Sequence, residues 1–242
     1  MSFIIVVFIL LVSCITPASA EVLIYDDVVP VGKTVKLNAV TKGRFFIEGG
    51  RLVTFYADGN SLGSNLSGGD GYAFLNYTPS SAGTFTLKAE SGADKDEATL
   101  LVTAKTDRIL LIEIETVFVE FPFSFKPAEE STKALQRLSR NYRILYITAM
   151  AGTEASEKVI RENSFPVSPV FKWEGAEFLD GLKEKGILPY AIVASAGVIS
   201  DAMDIANRYS FEETETATSV KDWDDLLKKL ELKKAIIVHP DN

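Results

Sequence analysis

Two glutamates at alternate positions follow a run of four apolar residues in the second half of the chain. The run is Ile109 to Ile112, and Glu113, Ile114, Glu115 and Thr116 come directly after it. Two carboxyl groups at one strand end can serve as a nucleophile and as a general acid or base. Carboxylate oxygens are also ligands for Mg²⁺. We therefore treat Glu113 and Glu115 as candidate catalytic and metal-binding residues.

The same glutamates could instead be solvated acids on an edge strand, without a chemical role. Against that reading, Ile109 to Ile112 do not alternate with polar residues, which indicates a strand covered on both faces. Two carboxylates that face one closed cavity repel each other, so without a cation one of them is expected to have a raised pKa. We therefore expect at least one of the pair to lie in a cleft.

The composition excludes several kinds of chemistry. Cys14 is the only cysteine and His239 the only histidine, so a Cys/His zinc site cannot be built. A Ser-His-Asp triad would require His239 to fold back from the end of the chain. The formal net charge is -8, which disfavours binding to nucleic acid. Any chemistry must therefore use carboxylates, hydroxyls and lysines.

The first twenty residues read as a secretory signal peptide. The apolar stretch "FIIVVFILLV" is too short to span a bilayer, and "TPASA" ends with small residues at the positions that a signal peptidase recognises. Two alternatives remain open: "LVSC" resembles a lipobox that would leave a lipidated Cys14, and the segment could stay as an uncleaved anchor. We expect an exported protein, periplasmic, cell-surface or secreted, with no transmembrane helix in the mature chain.

Residues 21–104 have the pattern of an antiparallel β-sandwich. Segments such as "TVKLNAV" and "GTFTLKAE" alternate apolar and polar residues, and turn sequences such as "SGGDG" separate them. Several short strands at this spacing are typical of a sandwich. The pieces "VTFYADG", "GYAFLNYTP" and "AGTFTLKA" resemble the bacterial Ig-like domains of exported proteins, which implies a spacer or an adhesive module.

Residues 105–234 have a different pattern, and residues 235–242 read as a C-terminal tail. The buried-strand segments "RILLIEIE", "RILYIT" and "YAIVAS" alternate with helical segments, which include "SDAMDIANRY". This order predicts an α/β, Rossmann-like parallel sheet with helices on both faces. Right-handed crossovers place the ends of the strands at one edge, where ligands bind. Glu113, Glu115, Thr148, Ser195 and Gly197 all fall at or beyond such ends.

Those strand ends resemble the motifs of the haloacid-dehalogenase-like (HAD) phosphohydrolases, with the nearest likeness to their lipin-like and phosphatidylinositol-transfer-associated branches. The resemblance covers roughly residues 107–232. The family begins with Asp-x-Asp-x-Thr, whose first Asp attacks phosphorus and whose second acts as acid and base. Here Glu113 and Glu115 stand at those two positions, and each is longer by one methylene group.

The other family motifs fall on later strand ends. Thr148 ends the second strand, and Lys172 is the best match to the family lysine. In "ASAGVISDA", Gly197 stands where the fourth motif has its first acid, and Asp201 matches the second. The resemblance implies that Thr148 and Lys172 bind phosphate or another anion and that Asp201 joins the two glutamates at a metal. Weaker matches to the lysine are Lys183 and Lys185.

The departures from the family pattern predict impaired catalysis. One added methylene moves a carboxylate by about 1.5 Å, and a misplacement of about 1 Å can cost about 100-fold in rate. The leading hypothesis is an exported protein whose HAD-like domain serves binding or scaffolding, needs no cofactor, and takes a small anionic or phosphorylated ligand or a cell-surface protein. The alternatives are an active Mg²⁺-dependent phosphatase with Glu113 as nucleophile, and an adhesion module.

Overall fold

The computed structural model describes residues 21–43, 46–118 and 126–238. The predicted signal peptide at 1–20, with Cys14 and its alternative lipidation, lies outside the described residues, as do residues 239–242 of the predicted tail. The described residues form two compact units. The first comprises the chain up to Tyr25, Thr34–Tyr77 and Phe85–Ala98, and the second comprises Asp26–Lys33, Thr78–Thr84 and the chain from Thr99 onwards.

Residues 21–104 form two β-sheets, and the described part of this range contains no helix. An antiparallel sheet has the order β1-β3-β6, with β1 at Glu21–Ile24, β3 at Val35–Lys42 and β6 at Tyr72–Tyr77. A second sheet has the order β2-β8-β7-β4-β5. Its strands are β2 (Asp27–Pro30), β4 (Leu52–Ala57), β5 (Asn60–Leu66), β7 (Gly83–Ser91) and β8 (Asp94–Thr103).

The alternating pattern of these strands follows from their burial. In β4, Val53, Phe55 and Ala57 are buried, and the residues between them are partly exposed. Successive side chains of a strand point to opposite faces, so this period of two places one apolar face inside.

A third sheet has six parallel strands in the order β11-β10-β9-β12-β13-β14. The first of them in the chain, β9, lies between β10 and β12, and all five of its residues are buried. The prediction of a central strand at this position is therefore confirmed. The strands are β9 (Ile109–Glu113), β10 (Arg143–Thr148), β11 (Val170–Lys172), β12 (Pro189–Val193), β13 (Asn207–Ser210) and β14 (Thr218–Ser219).

Five α-helices and one 3-10 helix, at Ile114–Val117, accompany this sheet. Apolar residues of α1, α2 and α5 share one buried cluster with alternate strand residues such as Ile112, Tyr146 and Val193. No helix in the described part of the chain combines the length and the apolar character needed to span a bilayer. The α-helices are α1 (Ser131–Leu138), α2 (Thr153–Glu162), α3 (Ala176–Glu184), α4 (Ala196–Asp201) and α5 (Trp223–Val238).

The predicted fold class, a sandwich followed by a Rossmann-like domain of the HAD type with helices on both faces, is wrong. The described chain is mostly β, with fourteen strands against five α-helices, four of which have ten residues or fewer. Leu111 and Ile192 of the parallel sheet share a buried cluster with Val28 and Leu101, which come from β2 and β8. Strands cover a buried strand as well as helices do, so a continuous apolar run does not specify an α/β domain.

The segment "SDAMDIANRY" illustrates the same error locally. Its predicted helix is wrong, because α4 ends at Asp201 and Asn207–Ser210 is strand β13. Tyr209 is fully buried in that short strand. A four-residue strand gives too little periodicity to be separated from a helix by sequence pattern.

Asp26 joins separate parts of the second unit through its carboxylate. Oδ1 accepts a hydrogen bond of 2.6 Å from the Thr99 amide, and Oδ2 accepts one of 2.7 Å from the Val170 amide. Asp26→Ala leaves both amides without this acceptor, and hydrogen bonds to charged groups contribute about 1.5–3 kcal/mol each. We expect the free energy of unfolding to fall by about 2–3 kcal/mol, measured by calorimetry or chemical denaturation.

Asp180→Ala provides the control, because Asp180 is exposed on α3. Its effect should stay within about 0.5 kcal/mol. Equal stabilities of the two variants would contradict the structural role assigned to Asp26.

Candidate functional site

Four neighbouring strands of the parallel sheet end around one cavity of about 440 Å³. β9 ends at Glu113 and continues into the 3-10 helix that carries Glu115, while Ala194 and Ser195 follow β12. The carboxyl edge of a parallel sheet is where such clefts form. The cavity is lined by Glu113, Glu115, Thr116, Phe118, Met150, Ala194, Ser195, Ser210, Phe211 and Glu212.

The 3-10 helix after β9 fixes the direction of the two glutamates. Ile114 and Val117 are fully buried and anchor the turn in the core. The Thr116 hydroxyl donates a hydrogen bond of 2.7 Å to the carbonyl oxygen of Glu113, which closes the turn. The chain therefore leaves the strand at once, and both carboxyl groups reach the same cavity.

The Glu115 carboxylate occupies a set of three donors on the loop after β10. Its Oε1 accepts hydrogen bonds of 2.7 Å from the Thr148 hydroxyl and of 2.8 Å from each of the Met150 and Ala151 amides. The Gly152 amide in turn donates to Thr148 Oγ1 at 3.0 Å. Convergent amides and a hydroxyl of this kind form an anion-binding concavity, and here an acidic side chain of the same chain fills it.

The second oxygen of Glu115, Oε2, lacks the hydrogen bonds that Oε1 accepts. Glu115 is only 8% exposed, and Oε2 is shielded from solvent with no hydrogen-bond partner among the described residues. A buried polar atom without a partner costs about 1–3 kcal/mol, more if it carries charge. Burial of Glu115 therefore carries a cost at Oε2 that the described residues do not offset.

Glu113 is held by the residue that follows β12, not by the loop after β10. Its Oε2 accepts a hydrogen bond of 2.6 Å from the Ser195 amide. Burial raises the pKa of the Glu113 carboxyl group, and the negative charges of Glu115 and Glu212 add to that rise, while hydrogen bonds from Ser195 oppose it. The uncharged form of Glu113 is therefore favoured more than in a free glutamate.

Glu212 is a third carboxyl group at this cavity, and the sequence pattern did not predict it. Its Oε2 accepts a hydrogen bond of 2.9 Å from the Ala196 amide, the first residue of α4. It follows β13, most of which lies in a segment whose pattern predicts a helix, so the sequence does not predict a strand end there. Tyr209 is the single apolar residue among the four of β13, so the strand offers no periodic signal in the sequence.

The structure separates Lys172 and Asp201 from the other candidates. Lys172 is exposed at the end of β11, with Nζ 3.4 Å from Glu174 Oε1. Asp201 is exposed at the end of α4 beside Gly175. Neither residue lines the cavity that Glu113 and Glu115 share. The roles predicted for these residues in catalysis and anion binding stay predictions.

The donor set does not fit a magnesium site. Within residues 21–43, 46–118 and the described part after 126, no three acidic, histidine or cysteine side chains are grouped so that they could hold a metal ion. Mg²⁺ requires near-octahedral oxygen ligation, and the Glu115 oxygen that faces Thr148 is already engaged by three donors. The metal role predicted for Glu113, Glu115 and Asp201 stays a prediction.

The solved structures that resemble this chain include Ig-like and fibronectin-like domains, and they match about a third of it. No protein-family profile and no curated protein matches the chain. The D0-D1 domain of intimin is 17% identical with a TM-score of 0.30, covering 36% of this chain and 50% of that one. An IG27 protein domain is 19% identical with a TM-score of 0.29, covering 36% and 99%.

The fibronectin(III)-like modules of Clostridium thermocellum CbhA give a similar result, with 18% identity, a TM-score of 0.28 and coverage of 36% of this chain and 48% of that one. The chain thus spans half or less of the intimin and CbhA structures. Likeness at this level does not identify a function. The adhesion alternative stays a prediction.

The raised pKa of Glu113 predicts a pH-dependent effect of Glu113→Gln. The unfolded chain releases the proton at about pH 4.3, whereas the folded chain holds it to higher pH, so the wild type loses stability as pH rises through that interval. The amide variant keeps an acceptor for the Ser195 amide and does not ionise. We expect its melting temperature to exceed that of the wild type at pH 8 and to match it near pH 4.

Glu177→Gln is the matched control, because Glu177 is exposed on α3. Thermal melts of the three proteins from pH 4 to pH 8 provide the measurement. A Glu113→Gln variant that is less stable than the wild type at pH 8 would refute the assignment of Glu113 as a buried carboxyl group with a raised pKa.

Proposed function

We propose that this chain is a non-hydrolytic ligand-binding module, carried by an Ig-like β-sandwich in the cell envelope or outside the cell. The observation that carries the proposal is the engagement of Glu115 Oε1 by the Thr148 hydroxyl and the Met150 and Ala151 amides. The acidic cavity at the edge of the parallel sheet is the proposed ligand site.

The engaged donors argue against turnover of phosphate esters. A phosphoryl oxygen would use the same hydroxyl and amides, because hydrogen-bond donors that converge on one point favour an anion. Displacing Glu115 would transfer three charge-assisted hydrogen bonds to the incoming group and leave a buried carboxylate without them. The cavity therefore favours the internal carboxylate over an external phosphate.

The protonation and hydrogen bonding of Glu113 also argue against turnover of phosphate esters. A carboxylate nucleophile must be ionised and directed at the reacting atom. Burial raises the pKa of Glu113, and the oxygen Oε2 is held by the Ser195 amide. Both features reduce its strength as a nucleophile.

Two features support a position outside the cytoplasm. The sequence of residues 1–20 has the pattern of a secretory signal, and the sequence of residues 21–104 resembles the Ig-like domains of exported bacterial proteins. On this proposal the sandwich acts as a spacer that displays the second unit. The partner is then a small molecule of the extracellular medium or a chemical group on a surface.

The proposal predicts no Mg²⁺-dependent phosphatase activity. We expect hydrolysis of p-nitrophenyl phosphate by the wild type to stay at the level of the Glu113→Gln variant, with and without Mg²⁺, because the donors needed for the phosphoryl group are occupied. Initial rates at millimolar substrate provide the measurement. Turnover that requires Mg²⁺ and disappears in Glu113→Gln would defeat the proposal and support a working hydrolase.

A further inference from the structure

A second cavity, of about 410 Å³, lies at the opposite edge of the parallel sheet from the glutamates. Ile109, the first residue of β9, lines it, and so does Leu188, which directly precedes β12. The ends of β2 and β8 contribute Pro30 and Thr103, and the whole lining belongs to the second unit. The amino ends of parallel strands meet at one edge, so this cavity is separate from the acidic one.

The charge of this second cavity is opposite to that of the whole chain, whose formal net charge is -8. Lys33 and Lys105 line the cavity, and Asp107 is the one carboxyl group in its described lining. The Asp107 carboxylate is already engaged, because its Oδ2 accepts hydrogen bonds of 2.8 Å from the Ala104 amide and of 3.2 Å from Arg143 Nε. The two ammonium groups therefore make the cavity locally positive, which favours an anion.

Both lysines keep hydrogen-bond donors for a ligand. Lys33 Nζ donates one hydrogen bond, of 3.0 Å, to the carbonyl oxygen of Lys185, which holds it next to Gly186 at the cavity. An ammonium group has three donors, so two remain. The side chain of Lys105 is exposed and has no ion pair or hydrogen bond with any described residue.

Thr103 supplies a third donor that the fold leaves without a partner. The residue lines the cavity and is only 4% exposed, and its hydroxyl has no hydrogen-bond partner among the described residues. The unpartnered atoms that are fully shielded from solvent include Glu115 Oε2 but not the Thr103 hydroxyl, so this hydroxyl is open to the cavity. A ligand that accepts a hydrogen bond can therefore satisfy it.

Apolar side chains form much of the remaining wall. Ile109 and Ile187 are buried, whereas Val31 and Leu188 are exposed where they line the cavity. Leu188 leaves 69% of its surface exposed, and an apolar part of a ligand can cover that surface. The volume lies within the range of small-molecule sites. The cavity thus fits a ligand with a negative end and an apolar end.

We propose that this second cavity binds a small aliphatic carboxylate. Its two oxygens accept hydrogen bonds from Lys33, Lys105 and the Thr103 hydroxyl, and its alkyl chain packs against Ile187 and Leu188. A carboxylate offers about four lone-pair positions, enough for three donors. The inference goes beyond the proposed function, since the two cavities share no lining residue.

The test is calorimetric titration of the full chain with sodium hexanoate at pH 7.5, with hexanol, sodium acetate and sodium phosphate as comparison ligands. Hexanol has the same chain without the charge, acetate has the same charge without the chain, and phosphate is an anion with no apolar part. We expect hexanoate to bind about tenfold or more tightly than each of the three.

Lys33→Gln and Lys105→Gln test the two ammonium groups. Both residues are exposed, so their substitution leaves the core intact, and each variant should bind hexanoate about threefold more weakly. The double variant should lose about tenfold. Lys133→Gln is the matched control, since Lys133 is exposed on α1 and does not line the cavity, and its affinity should change less than twofold.

Thr103→Val removes the hydroxyl and keeps the shape of the side chain. Because the hydroxyl has no partner among the described residues, the melting temperature should not fall, whereas hexanoate binding should weaken severalfold. Absence of hexanoate binding, equal affinity for hexanoate and hexanol, preference for phosphate, or unchanged affinity in the double lysine variant overturns the inference.

Discussion

The structure of the candidate site depends on one interaction, the engagement of the Glu115 carboxylate by the Thr148 hydroxyl and two loop amides. Charge-assisted hydrogen bonds inside a protein are strong because little water competes for the donors. This set connects the exit from β9 to the loop that begins α2. It also makes the cavity acidic, because the Glu115 carboxylate occupies the donors that an external anion would otherwise use.

The remaining features of the site follow from that constraint and from the parallel sheet. Adjacent strands end at one edge, which brings Glu113 and Glu212 to the cavity that Glu115 already lines. With the donors occupied and three acids in place, the cavity disfavours phosphate. Binding without hydrolysis is the function that we propose for this arrangement.

The sequence predicted the strands better than the way in which they are covered. Ile109 to Ile112 form a buried central strand as expected, because an unbroken apolar run requires cover on both faces. The same run could not show that residues of other strands, such as Val28, pack against this strand. The predicted fold class was wrong for that reason. Glu212 was missed because β13 is only four residues long. The rotamer that takes Glu115 to Thr148 depends on tertiary packing, which spacing alone does not contain.

The most direct test of the account is an NMR measurement of the Met150 and Ala151 amides in the wild type and in Glu115→Ala during titration with inorganic phosphate. If Glu115 occupies the donors, both wild-type resonances lie downfield and do not move with phosphate at millimolar concentration. In Glu115→Ala they move upfield and then respond to phosphate, since the donors are vacant. Wild-type amides that shift with phosphate as those of Glu115→Ala do would show that the carboxylate does not hold the site.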